Sequence, residues 1–281
     1  MAGAVLQGGF DVDGVIPGAV CHRGVTFAQR LGHRPLLMDV YVPVRHGHRA
    51  PCVVWIHGGA WWEGDRRFLP ETWPPGGLFR DLVAAGLAVA TMDYRLSGEA
   101  RWPAQLDDVR DAVTFLRDHA DALWIDDARI AVAGDSAGGH LAAMLALTGM
   151  GRVAVSAAAL LYPVTDLLDW DEEHGTTDDE LRESPEVRLL GVLPGEDPEL
   201  WAEASPLHHV HADAPPMLVI SGDVDGVVPA RQSVRLHAAL VDAGAPDVEL
   251  ELVPGADHCF GGVDPGPALR RVVGFLADRL G

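Results

Sequence analysis

Arg129-Ile-Ala-Val-Ala-Gly-Asp-Ser-Ala-Gly-Gly-His140, continued by Leu141-Ala-Ala-Met-Leu-Ala-Leu-Thr148, is the stretch from which the rest of the chain is read. Apolar Ile130–Ala133 reads as a strand and the Ala/Leu-rich run as a helix, because it holds good helix formers and no proline. Between them lies Gly134-Asp-Ser-Ala-Gly138, a G-x-S-x-G pentapeptide. Strand, sharp turn and helix together lift the Ser136 hydroxyl clear of the backbone. They also aim the amide N–H groups of the helix start toward the same point, where an oxyanion could form. Glycines flank the turn because a β-carbon there would crowd strand against helix.

The composition narrows the field. With 281 residues, 48% of them hydrophobic, the chain can bury one large core, and one α/β domain over residues 1–281 is expected. A formal charge of −20 disfavours nucleic acid, anionic membrane and polyanionic substrates as partners. All 21 basic residues are arginine, and the sequence holds neither lysine nor asparagine. Schiff-base chemistry, a pyridoxal anchor and a Walker phosphate loop are therefore excluded, as is N-glycosylation. Cys21, Cys52 and Cys259 are too few and too scattered for a disulfide framework or a zinc site. Met1–Phe10 has no basic region followed by a sustained apolar run, and no segment reaches membrane-span length. The expectation is a reduced cytoplasmic protein without cofactor or metal; whether two chains pair as a homodimer stays open.

Around the central stretch the chain alternates strand and helix. Strands are predicted at Leu36–Pro43, Cys52–Ile56, Leu87–Met92, Val153–Tyr162, Pro216–Ser221 and Val248–Val253. Helices are predicted around Gly77–Ala85, from Pro103, at Pro229–Ala243 and from about Pro267 to Leu280. Residues 1–35 carry no strong pattern, and Arg45-His-Gly-His-Arg49 reads as a turn. The rhythm breaks over residues 165–214, which are acidic and interrupted by Pro185, Pro194, Pro198 and Pro206. This insertion reads equally as a lid over the sheet or as a solvated excursion. Alternating strands and helices imply a mostly parallel sheet covered on both faces, with its ligand crevice beyond the carboxyl ends of the strands.

A serine needs a base to become a nucleophile. Among thirteen histidines, His258 stands out in Pro254-Gly-Ala-Asp-His-Cys-Phe-Gly-Gly262, a loop after the last core strand that can reach back over the sheet end. His208, His209, His211 and His237 read as surface residues, and His140 as a local partner in the helix start. The acid that orients the base is expected in Gly222-Asp-Val-Asp-Gly-Val-Val-Pro229, where Asp223 and Asp225 compete. His57-Gly58-Gly59-Ala60, at the end of a central strand, offers unobstructed N–H groups that complement the N–H of Ala137. His57 itself reads as a structural support for that loop. Trp61, Trp62, Phe68, Trp73 and Trp102 lie in loops near the same end; they read as an aromatic pocket ring, with core packing as the competing role.

His57-Gly-Gly-Ala-Trp61, Asp93-Tyr-Arg-Leu96, the Gly134–Gly139 turn, Gly222–Pro229 and Asp257-His-Cys-Phe260 together resemble the hormone-sensitive-lipase-like esterases and the neighbouring acetyl-esterase and feruloyl-esterase-like group. The likeness covers roughly residues 36–281. It implies an α/β-hydrolase fold, a mostly parallel sheet with helices on both faces and a small cap or lid insertion after the sixth strand. It further implies a carboxylesterase for a small-molecule ester, with Ser136 as nucleophile, His258 as base, Asp225 as its partner, and Gly58, Gly59 and Ala137 as oxyanion donors. Asp223 would then cap its loop, while Asp93, Tyr94, Arg95 and Asp108 would pin loops to the sheet. Ala60 replaces a glycine common in the family, and Cys259 stands where glycine is usual. The His-Gly-Gly-x-Trp form is also that of kynurenine formamidases, so an arylformamidase is the competing enzyme. A non-catalytic ligand receptor is the competing class.

Overall fold

Cys52-Val-Val-Trp-Ile56 has no polar position, so a strand made from it must be covered on both faces. The computed structural model, which describes residues 16–44, 48–169 and 181–281, builds the whole domain around that requirement. In chain order it shows β1 (Ala19–Ala28), β2 (Leu36–Pro43), β3 (Ala50–Ile56), α1 (Gly77–Ala84), β4 (Ala88–Met92), α2 (Ala104–Asp118), α3 (Ala120–Leu123) and β5 (Ile125–Asp135). There follow α4 (Ala137–Thr148), β6 (Ala158–Leu161), α5 (Pro185–Leu190), α6 (Pro198–Glu203), β7 (Met217–Gly222), α7 (Ala230–Asp242), β8 (Val248–Val253) and α8 (Gly266–Leu280).

The strands form one sheet in the order β1-β2-β4-β3-β5-β6-β7-β8. From β4 to β8 every pairing is parallel, and β2 alone runs against its neighbours. Side chains alternate between two cores. Val54 and Val132 point into one with Leu106 of α2, Leu141 of α4 and Leu236 of α7; Val53 and Trp55 point into the other with Phe79 of α1 and Phe275 of α8. This is the α/β-hydrolase fold.

The order of strands places the site. After β3 the chain crosses to β4 on one side, then returns to β5 on the other. The loops leaving β3 and β5 therefore diverge from adjacent strand ends and leave a crevice between them. Gly58-Gly59 and Ser136 are those two loop starts.

The structure differs from the sequence-based expectations in three places. Residues 19–28 form an edge strand where no pattern was read: its partly exposed residues and its register shifts blur the alternation. The strand expected over 153–162 shrinks to Ala158–Leu161, because Gly151–Val153 coils into a 3-10 turn. Within 165–214, prolines that read as breakers instead open helices. Ser184 and Asp197 accept N–H bonds from Val187 at 3.2 Å and Leu200 at 3.0 Å, with Pro185 and Pro198 in the first turns. Leu189, Leu190 and Trp201 join the buried cluster containing Leu141 of α4. The acidic runs at 171–173 and 178–180 and the centre of the 45–49 turn lie outside the described residues.

Candidate active site

Ser136 ends β5 in a conformation few side chains adopt, φ 51° and ψ −119°, and its N–H donates to Leu161 O at 2.9 Å. Such backbone strain persists only where the surroundings enforce it. Here the enforcement is steric. A Cβ on Gly134 would lie 2.5 Å from Gly138 O, and one on Gly138 would lie 2.6 Å from His57 O.

His258 reaches back over the sheet end. Its Nε2 lies 3.1 Å from Ser136 Oγ, and its Nδ1 lies 2.8 Å from Asp225 Oδ2. An ionised carboxylate only accepts, so Nδ1 carries the proton and Nε2 presents its lone pair to the serine. Asp225 is held by its other oxygen, which accepts the N–H groups of Val227 at 2.9 Å and Val228 at 2.8 Å. Asp223 points elsewhere, accepting Gly255 N–H at 2.7 Å. Asp257 fastens the two loops together, accepting from Gly226 N at 2.9 Å and His258 N at 2.7 Å. Cys259 sits at φ 58°, in the left-handed region that favours glycine. Its carbonyl accepts Thr72 Oγ1 at 2.6 Å and Trp73 Nε1 at 3.2 Å, holding the His258 loop down.

The glycine loop requires a correction. Gly58 was expected to donate to an oxyanion, but its N–H is taken by Asp135 Oδ1 at 2.9 Å. Gly59, Ala60 and Trp61 then turn left-handed in succession, at φ 101°, 51° and 60°. Among the described residues the Gly59 and Ala60 N–H groups donate no hydrogen bond. Ala137, first in α4, likewise has no i−4 partner within its helix. Sequence reasoning missed Asp135 and Ala60. The x of G-x-S-x-G gives no hint of direction, and an alanine gives no hint of a left-handed backbone.

Buried histidines support this loop. Burial lowers His57 to about 4, so it stays neutral; its Nδ1–H donates to Gly58 O at 2.7 Å and its ring stacks on Tyr94 at 4.3 Å. Tyr94 OH donates to His57 O at 3.1 Å. Next to Tyr94, Arg95 grips the buried Asp108 at 2.7 and 2.8 Å. His140 is also lowered to about 4 by burial. Its partners are long-range rather than local. Trp61 Nε1 donates to its Nδ1 at 3.1 Å, so its Nε2–H must donate to Ala204 O, 2.7 Å away. His208, His209 and His211 lie instead beside Asp166, Glu203 O and Leu147 O.

The aromatic ring divides. Trp61 and Trp102 are buried and flank His140, at 5.1 and 5.6 Å between ring centres. Trp73 packs on Trp55 and Phe260. Phe68 sits edge-on to His57. Trp62 alone of these five lines the open cavity of about 660 Å³ beside the glycine loop. Trp61, Trp73 and Trp102 are thus core side chains first, because their large rings fill the space beneath the loops.

Sheet order, strained serine turn and glycine loop at the switch point define an α/β-hydrolase. A BD-FAE family model matches residues 38–240, and the chain belongs to that family. Esterase LipQ of Mycobacterium tuberculosis (strain ATCC 25618 / H37Rv) is 33% identical over 241 residues, which are 82% of this chain and 55% of LipQ. The chain thus spans about half the length of that relative. Among solved structures, a truncated form of a carbohydrate esterase from gut microbiota superposes with TM-score 0.80 at 26% identity, covering 92% of this chain and 96% of that one. A thermophilic esterase of Thermogutta terrifontis, Est2 with propionate bound, gives 0.70 at 25% identity, covering 94% and 95%. Among the described residues no helix is long and apolar enough to cross a membrane.

Proposed function

We propose that the protein is a serine carboxylesterase acting on short-acyl or aryl esters of small molecules through an acyl-enzyme. The observation that carries this reading is the continuous relay from Asp225 Oδ2 through His258 to Ser136 Oγ, with links of 2.8 and 3.1 Å. Esterase LipQ and the two esterase structures support ester over formamide chemistry. Propionate bound to the Thermogutta enzyme supports a short acyl group.

In this mechanism Ser136 Oγ attacks the ester carbonyl while its proton passes to His258 Nε2. The positive imidazolium is stabilised by Asp225, which also fixes the ring. The carbonyl oxygen becomes negative within reach of the N–H groups of Gly59, Ala60 and Ala137, which need no reorganisation to meet it. Collapse breaks the acyl–oxygen bond, and His258 returns the proton to the departing alcohol. A water, deprotonated by the same nitrogen, then frees the acid from Ser136. The chain acts as one domain, with Leu189, Leu190 and Trp201 of the insertion packed into the cluster that contains Leu141 of α4.

Hydrolysis of p-nitrophenyl acetate, butyrate and decanoate, beside N-formylkynurenine, tests the assignment. Turnover should be highest on the two short esters and fall with Ser136→Ala. Preference for the formamide, or for long chains, would refute it.

A further inference from the structure

The cavity beside the glycine loop belongs to none of the groups in the relay, yet it is joined to them. Trp62 N–H donates to Gly59 O at 3.1 Å, so this residue closes the same turn that supplies the free N–H groups. Ser97 N–H donates to Trp61 O at 2.7 Å, and Trp102 N–H to Leu189 O at 3.0 Å. One wall is therefore the glycine loop, the second the segment after β4, and the third α5 with its terminal Gly191. About 660 Å³ is ample for one substituted aromatic ring.

The lining chemistry is unusual for this chain. Acids outnumber arginines 41 to 21 overall, and most arginines near the site are paired. The Arg101 guanidinium, on the cavity wall, makes no ion pair or hydrogen bond among the described residues; it lies against Gly191, in space that a Cβ there would occupy. Arg188 lies over the Trp62 ring, 4.2 Å from its centre, and pairs outward with Glu183 at 2.8 Å. Glu99, the one carboxylate on the wall, is already met by Arg34 at 2.8 Å and by the Leu96 N–H at 2.8 Å. Ser97 Oγ is a buried hydroxyl with no partner. An unpaired guanidinium and a half-exposed indole thus line one space, with the Ser97 hydroxyl buried in its wall.

We propose that this cavity is a subsite for an aromatic carboxylate, carried by the leaving-group or acyl portion of the ester. Arg101 receives the carboxylate, while Trp62 offers its ring edge to the aromatic portion. Arginine suits this role because its planar fork matches a carboxylate bidentately. A single carboxylate is compatible with a net charge of −20, since the local guanidinium dominates within a Debye length. Only the statement that an ester carries this carboxylate rests on the esterase reading.

Two readouts test it. Binding of 4-hydroxybenzoate and of its neutral isostere 4-hydroxybenzamide is measured by calorimetry, and kcat/KM is compared for 4-acetoxybenzoate and 4-acetoxybenzamide. The acid should bind about tenfold more tightly than the amide, as expected for a charge-assisted bidentate pair. Arg101→Gln should close that gap, Arg101→Lys should keep part of it, and the kcat/KM ratio should follow. Equal binding of acid and amide, or a gap that survives Arg101→Gln, would overturn the subsite. Acid-selective binding without turnover of either ester would uphold the subsite and refute the esterase reading.

Discussion

Asp135 and Gly58 are joined across the switch point of the sheet: the carboxylate beside Ser136 accepts the N–H that opens the glycine loop, at 2.9 Å. The serine turn and the glycine loop are thus one unit. The fit is close, since a Cβ on Gly58 would lie 2.6 Å from Asp135 Oδ2.

Burial pushes Asp135 up to about 7, although the Gly58 N–H and His258 pull it down. Unfolded, the same group ionises near 3.8. Between these values the folded state holds a proton that the unfolded state has lost. The resulting stability is full at low pH and is lost as pH rises through about 7. Asp135→Asn cannot titrate, so its stability relative to wild type should rise by about 2–3 kcal/mol between roughly pH 5 and pH 8. Urea unfolding at both pH values measures this; a constant difference would contradict it.

His140 links Trp61 to Ala204, joining the glycine loop, the helix after Ser136 and the capping segment. His140→Leu fills the space but strands a buried donor and a buried acceptor. A loss of about 2–6 kcal/mol in folding stability is expected, from about 1–3 kcal/mol for each unsatisfied group. A denaturation midpoint equal to wild type would show that these two bonds contribute nothing.

Gly138 has no room for a methyl group, because its Cβ would press on the backbone carbonyls of Ile56 and His57. Ile56 is paired on both sides at the end of β3, and the His57 carbonyl accepts from Tyr94 OH at 3.1 Å, so neither carbonyl rotates away freely. Gly138→Ala should cost about 3 kcal/mol or more, at the upper end for overpacking. Thermal unfolding checks it, and Gly274→Ala, a position with open space around it, serves as the control.

Asp225 and Asp223 are two residues apart but face different tasks, one holding His258 and the other capping Gly255. Asp225→Asn should lower kcat by about 10³–10⁴-fold, as loss of the orienting carboxylate does in serine hydrolases. Asp223→Asn should change kcat by no more than a few fold. Reversed effects would transfer the role to Asp223.

Much of this was legible in the sequence because the fold is carried by strong local patterns. The apolar run at Cys52–Ile56, the glycine-flanked Ser136 and the loop bearing His258 each declare strand, turn and loop by composition. What escaped depends on contacts distant in the chain. The edge strand Ala19–Ala28 is only partly buried, so its pattern is weak. Gly58 reads as a free donor in the sequence, whereas Asp135, 77 residues later, occupies its N–H. Trp61 and Trp102 read as pocket walls, but the buried imidazole of His140 draws both inward. The helices after Ser184 and Asp197 carried a cap-then-proline signature that a count of prolines alone obscures.

The acyl-enzyme on Ser136 is the most direct object of measurement. Wild-type protein mixed with p-nitrophenyl acetate should release a burst of about one nitrophenolate per chain, and mass spectrometry of the quenched protein should find one acetyl group on Ser136. Ser136→Ala should show neither. A burst that survives in Ser136→Ala, or an acetyl group found on another residue, would contradict the assignment of Ser136 as nucleophile.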